Sequence, residues 1–251
     1  MVAFLEIEGN LVKGLFLERP NRFLALVRLR NKVFPSFLPN PGRMHELLFP
    51  GVEVVLKEVI KGHRKTHYDL IGVKHNDELV SVDTRVPNKL VFEALKNKSL
   101  SEFRKYDVVK PEWRYGNSRL DFLLSNDSEQ CLLEVKSCTL VKENVALFPD
   151  APTLRGTRHL MELIKAKKQG FRACVFFVIQ RINAKVFSPN DETDPDFGEA
   201  FREALKKGVE AYAYYSEFVG NKITLRDKIE VKPQRLKKKV MTSFYFLGFF
   251  Y

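Results

Sequence analysis

Across residues 5–83 apolar side chains come in short runs of strand length, at residues 11–18, 23–29, 33–38, 52–60, 68–73 and 79–82. Turn residues separate them, among them Arg19-Pro20-Asn21 and Arg30-Asn31-Lys32. Short strands at regular spacing predict an all-β barrel or sandwich, and some five of them in about ninety residues suit a small OB-like barrel. Residues 83–87 read as a boundary. Beyond Pro87 the period lengthens, with Leu90, Val91, Ala94 and Leu95 recurring at helical spacing and Pro87 and Asn88 as start signals. A strand over residues 106–113 and a turn at Tyr115-Gly116-Asn117 follow, then two more strands, a helix over residues 156–169 ended by Gly170, and the apolar strand 173–179. A helix over residues 197–207 and a strand over residues 209–215 complete an α/β half with a mixed sheet. The expected domains are 1–83, 84–231 and a basic, apolar tail, 232–251.

The strands on either side of Ser125-Asn126-Asp127-Ser128-Glu129 form the stretch RLDFLLSNDSEQCLLEVK. A hairpin closing symmetrically about Asp127 and Ser128 sets Asp121 opposite Glu134, Leu123 opposite Leu132 and Arg119 opposite Lys136. Alternation then puts Asp121, Glu134 and Lys136 on one face, with Leu120, Phe122, Leu124, Leu133 and Val135 on the other. Facing residues on paired strands have Cβ atoms about 4.5–5.5 Å apart. Two carboxylates that close repel each other, and burial makes both costly unless a cation compensates. Mg²⁺ or Mn²⁺ suits such oxygen ligands and can also hold a phosphate oxygen and a water, while Lys136 can neutralise charge developing on the phosphate. The competing reading is a surface hairpin whose charged face is simply solvated.

Three further places carry candidate chemistry. Glu93, beside the apolar stripe of the first helix, is either solvated surface or a third carboxylate for the same site. The loop LPNPGRMHELL reads as a proline-bounded turn followed by a short helix over residues 43–48; its Asn40 and Arg43 can meet a phosphate or base edge, or cap the helix and face water. Arg155, Arg158 and His159 stand in the first turns of the second helix, where the helix N-terminus also favours anions, so they form either a phosphate cradle or a solvated face. The basic turn His63, Arg64, Lys65 and His67 reads as an exposed loop, and residues 191–196 as a helix cap or a cation site.

Composition sharpens this picture. Lys and Arg number 42 against 31 Asp and Glu in 251 residues, a formal charge of +11. Such a surface attracts polyanions, nucleic acid first and an anionic membrane surface second, because the basic residues are spread along the chain and not gathered on one amphipathic helix. Cys131, Cys138 and Cys174 lie in or near apolar segments without metal-ligand spacing, as small core residues of a reducing compartment do. The chain opens without a charged and then apolar leader, and its last apolar stretch, VMTSFYFLGFFY, is too short to span a bilayer. A cytoplasmic protein with no membrane partner is expected; the sequence is silent on oligomeric state.

The order of elements resembles the core of the PD-(D/E)XK nuclease superfamily. The phrases LPNPGRMHELLFPG, VPNKLVFEAL, SRLDFLL, LLEVKSCTL, FPDAPTLRGTRHLMEL and FVIQR resemble the sugar fermentation stimulation protein family (SfsA), over residues 1–231. That resemblance implies an OB-like barrel followed by a restriction-endonuclease-like domain, with DNA, or RNA, as partner and a regulatory link to sugar metabolism. It also implies Asp121 and Glu134 as metal ligands, Lys136 as the water-activating or charge-neutralising residue, Glu93 as an accessory ligand or base, and Gln180 as a polar support. Leu120 stands where the superfamily name has proline. Two functions follow: a Mg²⁺- or Mn²⁺-dependent hydrolase of phosphodiester bonds, or a non-catalytic, largely sequence-nonspecific DNA-binding regulator.

Overall fold

A computed structural model of the protein describes residues 2–59 and 65–234. His63 and Arg64 of the basic turn, and the tail from residue 235 on, lie outside the described residues. The amino-terminal strands are β1 (Phe4–Glu6), β2 (Leu11–Asn21), β3 (Leu24–Leu29), β4 (Lys32–Phe37), β5 (Glu53–Glu58), β6 (Tyr68–His75) and β7 (Glu78–Ser81). Antiparallel pairs join β2 to β3, β3 to β4, β6 to β5 and β5 to β2, while β4 and β6 pair in parallel, so the five strands close on themselves without an edge. Alternate residues Val54, Leu56, Ala25 and Val27 fill the interior. Gly14 lets β2 approach β3, since a Cβ there would stand 2.6 Å from Val27.

Residues 43–48 do not form the expected helix. Met44 takes a φ of 51°, which ends helical geometry at its start, and the segment closes as a turn in which Leu47 and Leu48 donate to the Met44 carbonyl. Met44, Leu47 and Leu48 are buried in the barrel core, so this loop packs as a plug. Arg19 holds it, donating from its two terminal nitrogens to the carbonyls of Gly42, Arg43, Arg22 and Asn40 at 2.6–3.0 Å. Arg19 therefore belongs to a strand and not to the expected turn; the chain reverses at Arg22 and Phe23 instead.

The second half comprises α1 (Val86–Lys96), a 3₁₀ turn (Ser101–Phe103), β8 (Val108–Tyr115), β9 (Ser118–Ser125), β10 (Gln130–Cys138), β11 (Val141–Lys142), β12 (Val145–Phe148), α2 (Leu154–Lys168), β13 (Arg172–Ile179), β14 (Val186–Pro189), α3 (Pro195–Lys206), β15 (Glu210–Val219) and β16 (Lys222–Val231). The order across the sheet is β8, β9, β10, β13, β15, β16, with β10, β13 and β15 parallel and the outer strands antiparallel. This is the mixed sheet expected. α1 covers one face through Leu90, Val91 and Ala94 against Phe122, Leu133 and Phe176, and α2 and α3 cover the other against Leu132, Val175 and Phe177. Burial on both faces explains why β13 is apolar from Ala173 to Ile179. Asp194 caps α3 by accepting from the Phe197 N–H at 3.0 Å, and Asp191 is paired with Arg202, so the acidic loop serves the helix. All three cysteines are buried and free.

The two halves are tied by ion pairs at their junction. Arg181, 2% exposed, pairs with Glu78 of β7, whose other oxygen accepts from the Ile182 N–H at 2.9 Å. Arg85 at the start of α1 bridges Asp83 and Asp69 of β6, and those two carboxylates push its already high pKa further up, against the effect of burial.

Candidate metal and phosphate site

The hairpin that carries the candidate carboxylates closes as its polar cluster predicts. Asn126 accepts on its side-chain oxygen from the N–H groups of Ser128 and Glu129, both at 2.9 Å, which fixes a turn centred between Asp127 and Ser128. The ladder pairs Ser125 with Gln130, Leu124 with Cys131, Leu123 with Leu132 and Phe122 with Leu133. There it stops. One residue further on, Asp121 leaves the ladder and accepts on Oδ2 from the Val135 N–H at 2.7 Å, while its Oδ1 accepts from Asn88 Nδ2 at 2.5 Å. Across on β8, Glu112 takes a φ of 56° beside this break.

The break changes two expectations. Leu120 packs with Leu123 and Leu132 on the α2 face and not with Phe122, because strict alternation fails where β9 parts from β10. Arg119 faces Arg114 on β8, within 3.5 Å of Glu112, and does not meet Lys136. Lys136 instead stands beside Phe177 of β13, two residues along from Glu134 on the same face.

Glu134 is only 3% exposed. Its Oε1 receives two donors, the Lys136 ammonium and the His159 ring at Nδ1, and its Oε2 is buried with no hydrogen-bond partner among the described residues. Burial alone would raise its pKa, but Lys136 and His159 together outweigh burial and hold the carboxyl below the ordinary range. Asp121 goes the other way. Burial first and the charge of Glu134 second push it up to about 6, against the pull of the Val135 N–H, Lys136 and Asn88.

His159, 2% exposed, is therefore not part of an open phosphate cradle. Its Nε2 faces the Nε–H of Arg155 at 3.4 Å, one helical turn back, and its Nδ1 faces Glu134, so the ring serves to hold the carboxylate. α2 itself starts on Thr153, whose hydroxyl accepts from the Gly156 N–H at 3.0 Å. Arg155 and Arg158 are exposed, and Arg155 lines a cavity of about 950 Å³ whose floor holds Asp121, Glu134 and Lys136. Its walls come from both halves of the chain, with Arg22 and Arg43 from the barrel and Asp150 from the loop before α2. Arg158 does not line it.

Asn40 also borders the cavity, but its amide is spent on the fold. It donates to the Val82 carbonyl at 2.9 Å and accepts from the Gly42 N–H at 2.8 Å, which shapes the loop and leaves Arg43 exposed toward the opening. Glu93 is not brought to the carboxylates. It follows Asn88 by five residues, about 140° further round the helix, so it lies on the opposite flank of the buried face of α1. α1 contributes Asn88 in its place. Gln180 lies at the end of β13, accepts from Ser216 at 2.9 Å and does not line the cavity. Sequence reasoning missed the roles of Asn88, Arg19 and Arg22; Asn88 was visible only as a helix start.

Among the described residues no group of three or more His, Cys, Asp or Glu side chains gathers to hold a metal ion. Two carboxylates, one with an oxygen that is buried and unpartnered among the described residues, still suit a hard divalent ion that retains waters and needs no full protein cage. Among the described residues no helix is long and apolar enough to cross a membrane.

Comparison with known families matches residues 17–82 to the SfsA N-terminal OB domain and residues 85–222 to the sugar fermentation stimulation protein RE domain. Sugar fermentation stimulation protein homologs of Alkaliphilus metalliredigens and Thermoanaerobacter pseudethanolicus are each 47% identical, over 227 and 226 residues, covering 90% of this chain and 98% of each relative. A structure of Pyrococcus furiosus SfsA in complex with Ca²⁺ is similar with a TM-score of 0.85 and 32% identity, covering 92% of this chain and 99% of that one. The chain belongs to the sugar fermentation stimulation protein family, with an OB-like barrel followed by a restriction-endonuclease-like domain.

Proposed function

We propose that this member of the family is a divalent-metal-dependent phosphodiesterase acting on nucleic acid, with DNA as its expected substrate. The observation that carries the reading is the meeting of Asp121, Glu134 and Lys136 on the floor of one cavity whose walls present Arg22, Arg43 and Arg155. A protein that only bound a polyanion would gain nothing from burying two carboxylates where the phosphate must lie. Asp121 and the free Oε2 of Glu134 would hold the ion, as the Ca²⁺ found with the Pyrococcus furiosus relative makes reasonable for oxygen ligands here. Such an ion polarises a phosphoryl oxygen and lowers the pKa of a bound water.

The chain's own side chains do the remaining work. Lys136, held by Glu134, keeps an ammonium beside the phosphate as negative charge develops there. His159 occupies the second donor position on Glu134 Oε1, which fixes the carboxylate with its other oxygen toward the cavity. Asn88 and the Val135 N–H fix Asp121 in the same way. The cavity arginines position the backbone of the substrate without reading its sequence.

The +11 charge favours a second reading, in which the chain binds DNA as a regulator and does not cleave it. One assay separates the two. Purified protein is incubated with supercoiled plasmid and labelled oligonucleotides in Mg²⁺, Mn²⁺ or EDTA, alongside Asp121→Asn and Lys136→Ala. Cleavage that needs metal and disappears in both variants supports the enzyme; salt-sensitive binding with no cleavage in any metal supports the regulator.

A further inference from the structure

We infer that the cavity admits nucleic acid as a single strand, with bases stacked on Phe23 and Phe49 and phosphates on Arg22, Arg43 and Arg155. The inference rests on the reading above for the kind of polymer and adds its form. The first argument is access. A phosphodiester that reacts must reach Glu134 and Asp121 on the cavity floor, between the barrel loops on one side and residues 148–155 on the other. A volume of about 950 Å³ equals a cube about 10 Å on edge. It lies within the range of about 300–1,000 Å³ that encloses a small organic ligand, so a nucleotide or two fills it, and a single strand supplies them without the cost of unpairing that a duplex carries.

The second argument is the chemistry of the rim. Phe23 and Phe49 are each 49% exposed, Phe23 next in the chain to Arg22 and Phe49 between Leu48 and Pro50, all three of which line the cavity. Phe23 is not a loose side chain. Its ring stacks on Phe37 at 6.3 Å and 22°, and the Arg85 guanidinium lies 5.9 Å over Phe37, so the ring is held on one side while about half of the residue stays exposed. Arg22, Arg43 and Arg155 have no carboxylate partner among the described residues, whereas Arg85, Arg172, Arg181 and Arg202 are all paired with acids. Aromatic platforms interleaved with unpaired cations are what a protein uses to hold unstacked bases and their backbone; inside a duplex the bases are stacked on each other and cannot use them.

The test measures binding in EDTA by fluorescence anisotropy, so that it does not depend on cleavage. Labelled oligothymidylate of about 20 nucleotides is compared with a hairpin-free duplex of similar length, for wild type, Phe23→Ala with Phe49→Ala, and Arg43→Ala. The expected result is at least about tenfold tighter binding of the single strand and a loss of about tenfold or more in the double phenylalanine variant, with duplex binding unchanged. Arg43→Ala should make the slope of log K against log salt shallower by about 0.7. Equal or tighter binding of duplex, or an unchanged strand affinity in the phenylalanine variant, overturns the inference. A parallel cleavage assay in Mn²⁺ tells the two readings apart: strand-selective binding with no cleavage keeps the inference and removes the phosphodiesterase, and cleavage of duplex in preference to strand does the reverse.

Discussion

Replacing Asp121 with Asn should make the metal-free protein more stable at neutral pH. The Asp121 carboxyl is raised from its ordinary 3.8 to about 6, chiefly because it is buried and secondly because Glu134 is charged beside it. The native state therefore holds this proton more tightly than the unfolded chain does. Between about pH 4 and pH 6 folding takes up a proton, so stability falls as pH rises through that window, and the full cost is present above it. At about 1.4 kcal/mol per tenfold change, the difference between 3.8 and about 6 is worth about 3 kcal/mol. Asparagine carries no charge to bury and keeps an oxygen for the Val135 N–H, while Asn88 can turn its amide to accept from the new NH₂. Urea unfolding in EDTA from pH 4.5 to 8 should show the variant ahead by about 2–3 kcal/mol at pH 7.5, or roughly 4–12 °C in Tm for a chain of this size, with the gap closing toward pH 4. Adding Mn²⁺ should narrow the gap by stabilising only the wild type, by about 2.7 kcal/mol at a hundredfold excess over Kd. A variant that is no more stable at pH 7.5, or a gap that does not change with pH, would refute the placement of this carboxylate.

Other perturbations test other parts of the same structure. Glu78→Ala leaves the Arg181 guanidinium buried without its partner and should cost about 3–5 kcal/mol in chemical denaturation, with Glu78→Gln recovering part. His159→Ala removes one of the two donors that fix Glu134, so calorimetric titration with Mn²⁺ should show affinity weakened by about 10–100-fold, and His159→Gln, which can still donate, should restore some of it. A Cβ at Gly42 would stand 2.4 Å from Asp150 Oδ2 and 3.0 Å from Asn40 Oδ1, so Gly42→Ala should cost about 1–3 kcal/mol and reduce nucleic-acid binding by displacing the cavity wall; unchanged stability would mean that the loop yields freely.

The hairpin could be read from sequence because two local rules act together in it. A turn built by one asparagine side chain sets a symmetric register, and period-two alternation then assigns faces without tertiary information. The reading failed at Leu120, where β9 bends away from β10, since alternation holds only while a ladder continues. Glu93 and Asn88 differ only in which flank of α1 turns toward the hairpin, and that is set by the docking of the helix, which no local pattern encodes. For Asn40 residue type leaves a phosphate contact or a helix cap open, and for His159 a phosphate cradle or a solvated face; both side chains are buried and bonded within the chain, a distinction visible only once the neighbours are in place. The turn at Met44 escaped for a similar reason: apolar spacing suited a helix, but the plug is held by Arg19 from a strand about 25 residues earlier, a contact outside any local window. β12, β14 and β16 were not foreseen: the first two are four residues each, and β16, ten residues long, has its apolar positions interrupted by Arg226, Asp227 and Lys228.

The opposite displacement of the two carboxylates follows from what each is given as a partner. Glu134 has two donors on one oxygen, Lys136 being a cation, and remains ionised although it is almost fully buried. Asp121 has a neutral amide and a backbone N–H, and Lys136 is already engaged with its neighbour, so its charge is the one the fold does not offset. A cation entering the cavity thus gains most at Asp121 and finds on Glu134 an oxygen without a hydrogen-bond partner among the described residues. The parting of β9 from β10 after Phe122 makes this inequality possible. Were the ladder to continue, the Val135 N–H would have no reason to meet a side chain, and Asp121 would lose the bond that aims it. Environments that push two neighbouring acids apart are the usual sign of a site arranged for chemistry and not for cohesion, since cohesion would be better served by replacing both with apolar groups.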